Sequence, residues 1–122
     1  MLIAPLSAHT LAKLSSGLCD DTLSCVARAW DFGHHVSRKG KPLLLAPAMN
    51  TAMWDHPLTR SQLLTIQQFW NSKNDAANGV VVINPQVKTL ACGEVGDGAL
   101  ASVASIVDAV EQTISDKSTT GL

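Results

Sequence analysis

The sequence lacks most of the features that assign a function at a glance. No apolar run approaches the roughly 18 residues a spanning helix needs. Neither basic nor acidic residues form a run longer than a few positions, and the formal net charge is -1. Nothing in the charge pattern therefore points to nucleic acid or an anionic membrane as a partner. The opening residues, Met1-Leu2-Ile3-Ala4-Pro5, carry no basic region and are too short for a secretory leader. Cysteine is scarce. Cys19, Cys25 and Cys92 are odd in number and lack zinc-ligand spacing, so no metal site is expected and a reducing, cytoplasmic compartment fits best. Cys19 and Cys25 lie in or beside apolar helical patterns and are expected to be packing residues. Internal repeats and low-complexity segments are absent as well.

What remains is an ordinary globular composition. The chain has 122 residues, 46% hydrophobic and 16% charged, enough for one domain with a buried core. Met1 to Ala4 reads as the last part of a buried strand cut short by Pro5. Ser7 can cap a helix through about Lys13, with Leu11 and Leu14 on one face and Gly17 as its stop. Asp20 or Asp21 opens a second helix, where Leu23, Val26, Ala27 and Trp30 form an amphipathic stripe. The Asp31 to Lys41 stretch reads as an exposed loop. His34 and His35 within it have no carboxylate or cysteine at ligand spacing, so a solvated loop tip is expected.

Pro42 to Ala46 is uniformly apolar, the mark of a strand buried on both faces. A helix-like segment begins near His56-Pro57, and Thr59 with Gln62 forms a candidate capping box for a helix reaching about Trp70. Val80 to Asn84 is a third apolar strand, and Pro85 to Gly98 reads as a long glycine-bearing loop. A last helix carries Val103, Ile106, Val107, Val110 and Ile114 on one face. The pattern predicts an α/β domain over residues 1–116 with a parallel sheet, and a frayed tail over 117–122. Three strands make a thin sheet, so the chain is expected to be the carboxyl-terminal half of a doubly wound domain.

Three segments carry candidate chemistry. Pro5-Leu6-Ser7-Ala8-His9-Thr10 turns from strand to helix at Ser7 and would aim the backbone N–H groups of Ala8, His9 and Thr10 at an anionic or polar ligand. A plain helix cap reads the same way. Pro47-Ala48-Met49-Asn50-Thr51-Ala52-Met53-Trp54 follows a buried strand, at the end where open α/β sheets bind ligands. Asn50 there offers amide donors and an acceptor, or it bonds its own backbone in a turn. Ala91-Cys92-Gly93-Glu94-Val95-Gly96-Asp97-Gly98 has three glycines in six residues and can act as a lid, with Cys92 either a proton donor or a small packing residue. Lys88 nearby could lower the Cys92 pKa, meet a substrate phosphate, or stand in solvent.

Taken in order, these three motifs resemble the homo-oligomeric flavin-containing cysteine decarboxylases, above all in Pro47-x-Met49-Asn50-x-x-Met53-Trp54. The similarity runs from Met1 to about Ala101. It implies a Rossmann-like or flavodoxin-like three-layer fold and FMN as cofactor, touched by Ser7, Ala8, His9, Thr10 and Ala48. The family usually has Asn where this chain has His9. By the same resemblance, Asn50 binds the substrate carboxylate, Met53 lines the pocket and Cys92 delivers a proton. The implied reaction is FMN-dependent decarboxylation of 4'-phosphopantothenoylcysteine to 4'-phosphopantetheine, on the route to coenzyme A, in a homotrimer. Similar enzymes carry a catalytic His upstream of the first motif, a context that none of His9, His34, His35 and His56 shares. Half an active site is therefore expected. Two alternatives stay open: a non-catalytic relative that inhibits a protein phosphatase or joins a mixed trimer, and a flavoprotein that decarboxylates a peptide's terminal cysteine.

Overall fold

Leu43, Leu44, Leu45, Ala46 and Pro47 are all buried and form the middle strand of a parallel sheet. The computed structural model describes residues 1–71, 79–89, 93 and 95–120, with side chains to residue 116. Within them the order is β1 (Leu2–Leu6), α1 (Ala8–Ser16), α2 (Thr22–Arg28), β2 (Leu43–Pro47), α3 (Thr51–Asp55), α4 (Pro57–Gln67), β3 (Val80–Val82), β4 (Gln86–Thr89), β5 (Val95–Ala99) and α5 (Val103–Thr120). The strands β1, β2 and β3 lie side by side in that order, all parallel. The pair β4–β5 forms a separate antiparallel ribbon.

Alternation along β2 explains its composition. Leu43 and Leu45 point into one core with Ile3, Leu6, Leu11, Leu14, Leu63 and Ile66, under α1, α2 and α4. Leu44 and Ala46 point into the other with Ile83 and Ala101, against Ile106, Ala109 and Val110 of α5. Each fully buried Leu contributes about 1.5–3 kcal/mol relative to exposure, so both faces must be apolar. The result is a three-layer α/β arrangement of the flavodoxin-like kind, with the helices on both sides of the sheet.

Several expectations are corrected. The strand β1 runs on through Pro5 to Leu6, and only Ile3 and Leu6 are buried in it. Its partners shift register between Ile3 and Leu6, across a Pro that has no N–H to donate. Pro85 to Gly98 is not one long loop, because it contains the β4–β5 ribbon. The α4 helix begins at His56-Pro57 as expected, but its cap is His56 rather than Thr59, and it ends at Gln67. Trp70 lies beyond it, packed where any side chain on Gly40 or Gly79 would collide with its ring. The last helix runs to Thr120, past the expected start of the tail. Of its expected apolar face, Ile106 and Val110 pack inward, whereas Val103, Val107 and Ile114 are exposed.

The α2 helix is turned the other way from the predicted stripe. Ser24 and Ala27 are buried, while Leu23 and Val26 are 38% and 44% exposed. Small side chains let this helix approach the core closely, and the larger ones are left outside. Cys19 and Cys25 are likewise exposed rather than packed. The helix start is held by a capping box: Asp21 Oδ1 accepts from Ser24 N at 2.8 Å, and Ser24 Oγ accepts from Asp21 N at 3.1 Å. Lys13 Nζ reaches back from α1 to Asp20 and Asp21 at 2.9 and 2.8 Å.

Those bonds hold both carboxylates below their usual value of 3.8, chiefly through Lys13. A depressed folded-state value means the stabilisation is complete above about pH 4 and is lost as the pH falls further. Amide exchange at Ser24 is therefore expected to lose protection in acid before the β2 amides do. Asp21→Ala should expose the same amide at neutral pH.

Candidate active site

The ends of β1 and β2 meet, because Leu6 is paired with Pro47. One residue further, the Ala48 N–H donates to the Leu6 carbonyl at 3.0 Å. The next N–H, that of Met49, donates to the Gly98 carbonyl of β5 at 2.9 Å. Through these two bonds the first, second and third motifs are drawn together at the carboxyl ends of adjacent parallel strands. That is the end of an open α/β sheet where ligands bind.

Asn50 is the N-cap of α3. Its Oδ1 accepts from Met53 N at 2.9 Å, with an extended backbone at φ -65° and ψ 161°. The cap uses the amide's acceptor and leaves its NH2 group, an exposed pair of donors without a partner among the described residues. The turn reading and the binding reading are thus one arrangement. The backbone fixes the oxygen, and the fixed oxygen aims two donors outward. Met53, 50% exposed, stands beside them, while Met49 and Trp54 pack on the core.

The first motif is built the same way. Ser7 Oγ accepts from Thr10 N at 3.1 Å and donates to Thr10 Oγ1 at 3.2 Å. Ser7 is therefore the helix cap. The first-turn N–H groups of Ala8 and His9 have no carbonyl within the helix to bond, and they stand at its positive end. His9 is exposed; Ala8, Thr10 and Ala48 are half-buried. Free N–H donors, a small residue at 48 and an exposed imidazole suit a flat, phosphate-bearing ligand such as FMN.

Two supporting residues escape a reading of the sequence. Thr59 is buried, and its hydroxyl donates to the Met53 carbonyl at 2.5 Å with Met49 Sδ 3.8 Å away. It fastens α3 to α4 and so holds the Asn50 loop from behind. Gly98 permits the close approach of β5: a methyl placed there would run into the Met49 carbonyl oxygen. Thr59 reads as a helix cap rather than as a buried anchor, and Gly98 sits among glycines that read as loop.

Not every candidate is brought in. Cys92 lies outside the described residues, between β4 and β5 in sequence. Lys88 is exposed on β4. His34 Nε2 donates to the Phe69 carbonyl at 2.7 Å rather than standing free as a loop tip. His56 Nδ1 accepts from Leu58 N at 3.1 Å as the cap of α4. A cavity of about 550 Å³ lies at the opposite end of β2, lined by Leu14, Arg28, Trp30, Phe32, Leu43 and Phe69. Another, of about 640 Å³, adjoins the second motif at Trp54, His56, Arg60, Leu63 and Asn84. The second borders the motif cluster, and the first has no share in it.

The fold is that of an α/β flavodoxin-like protein, and the candidate site lies at its strand ends. The chain belongs to the Flavoprotein family, whose model matches residues 1–115. It is 47% identical over 115 residues to the phosphopantothenoylcysteine decarboxylase of Mus musculus, covering 94% of this chain and 48% of that protein. Among solved structures, a cysteine mutant of PPC decarboxylase complexed with pantothenoylaminoethenethiol superposes with a TM-score of 0.73 at 42% identity, over 91% of this chain and 52% of that one. The FMN binding protein AtHal3 does so at 0.71 and 43%, over 91% and 51%. The chain spans about half the length of the curated relatives it matches.

Proposed function

We propose that this chain supplies the carboxyl-terminal part of an FMN-dependent phosphopantothenoylcysteine decarboxylase. The observation that carries the reading is Asn50, whose capped amide presents two neutral donors beside the strand-end cluster. Neutral donors orient a substrate carboxylate without the full positive charge that would stabilise it against loss. Met53 forms an apolar wall alongside. FMN would be held by the N–H groups of Ala8 and His9, by Thr10 and Ser7 at the helix start, and by Ala48 beneath the ring. Bound flavin supplies the two-electron oxidation of the substrate thiol and the return of those electrons after carbon dioxide has left. Cys92 is assigned the proton delivered to the carbon that loses the carboxylate. Assembly as a homotrimer in the cytoplasm accompanies the proposal. No helix among the described residues is long and apolar enough to cross a membrane.

A hybrid tests this reading: the present chain replaces the matching part of the mouse relative. The purified hybrid should keep a flavin absorption band through gel filtration and release carbon dioxide from phosphopantothenoylcysteine. A folded hybrid that keeps the flavin but leaves this substrate untouched would contradict the substrate assignment. One that folds without flavin would contradict the cofactor assignment.

A further inference from the structure

Cys19 and Cys25 take no part in the strand-end site, yet the fold brings them together. They flank the Asp20–Asp21 turn at the entrance to α2, and both thiols are exposed. Cys25 Sγ donates to the backbone carbonyl of Cys19 at 3.1 Å, so the Cys25 sulfur lies against the residue that carries the other thiol. The turn between them is fixed on its other side by the Asp21 capping box and by Lys13, which bridges both aspartates. Partial desolvation by the surrounding chain, and then the neighbouring Cys19 thiol, push the Cys25 thiol upward. A disulfide that forms and breaks in a reducing compartment is a redox-sensing bond rather than a structural one.

We propose that Cys19 and Cys25 form a reversible intrachain disulfide, a peroxide-sensitive modification site at the start of α2. The Cys19 thiolate takes an oxygen from hydrogen peroxide and becomes a sulfenic acid, with release of hydroxide. Cys25, already lying against Cys19, displaces the sulfenic oxygen as water and closes the S–S bond. Two thiols are oxidised, and one peroxide is reduced to two waters. A dithiol reductant reverses the bond by exchange.

Trypsin reads this directly, because the peptide Leu14–Arg28 contains both cysteines and no internal cleavage site. The full chain is treated with hydrogen peroxide, alkylated with iodoacetamide, digested and weighed. The expected product is Leu14–Arg28 lighter by two hydrogens, without alkyl groups, and restored to two alkyl groups by dithiothreitol. Cys25→Ser should abolish that species and leave Cys19 as a sulfenic acid; Cys19→Ser should leave Cys25 fully alkylatable. The bond should also close more slowly in urea, where the turn is lost. Full alkylation of the peptide after peroxide, cross-linking to the Cys92 peptide instead, or equal rates in urea and buffer would each overturn the proposal.

Discussion

Gly98→Ala is expected to destabilise the chain by about 2–4 kcal/mol and to dismantle the candidate site with it. The added methyl runs into the Met49 carbonyl oxygen, and overpacking of this kind costs about 1–3 kcal/mol. Relief requires β5 to withdraw, which breaks the Met49 N–H to Gly98 carbonyl bond, worth about another 0.5–1.5 kcal/mol. The loop that carries Asn50 loses the anchor tying it to the third motif. Urea unfolding followed by circular dichroism should show the midpoint falling, and the hybrid should lose its flavin band. An unchanged midpoint with the flavin retained would mean that β5 does not hold the loop.

Asn50→Asp is expected to separate stability from chemistry. Aspartate caps a helix about as well as asparagine, and a negative charge is favourable at a helix N-terminus, so α3 and the unfolding midpoint should hold. The two amide donors are gone, however, and a carboxylate now faces the substrate carboxylate. Loss of hydrogen bonds to a charged group is worth about 1.5–3 kcal/mol each. At about 1.4 kcal/mol per tenfold, turnover by the hybrid should fall at least about 10²-fold. Asn50→Ala should lose turnover and also about 1 kcal/mol of capping. Aspartate turnover near wild type would remove Asn50 from substrate binding and leave it a helix cap.

Some of this fold is readable from the residues because one physical cause acts alone there. A run such as Leu43 to Ala46 has no polar position, so both faces of β2 must be covered, and two cores follow. Ser7 before Thr10, and Asp21 before Ser24, mark helix starts by hydrogen bonds three residues long. Elsewhere two causes compete. Periodicity places Leu23 and Val26 on one face of α2, but it does not say whether that face or the smaller one turns inward; close approach selects Ser24 and Ala27. The same ambiguity misplaced Cys19 and Cys25. Glycine at 96 and 98 breaks a strand pattern, so β5 reads as loop. Its pairing with β4, and its contact with Met49, depend on neighbours distant in sequence. For the site, the three motifs are visible in order along the chain. Their convergence is not, since it rests on the bonds Ala48 to Leu6 and Met49 to Gly98.

The claim that these segments form one site is tested most directly by titrating FMN into the isotopically labelled chain and following its amide resonances. The account predicts shifts that cluster at Ala8, His9 and Thr10, at Ala48 to Met53, and at Gly98. Shifts confined to the cavity lined by Leu14, Trp30 and Phe69, or to one motif without the other two, would contradict it.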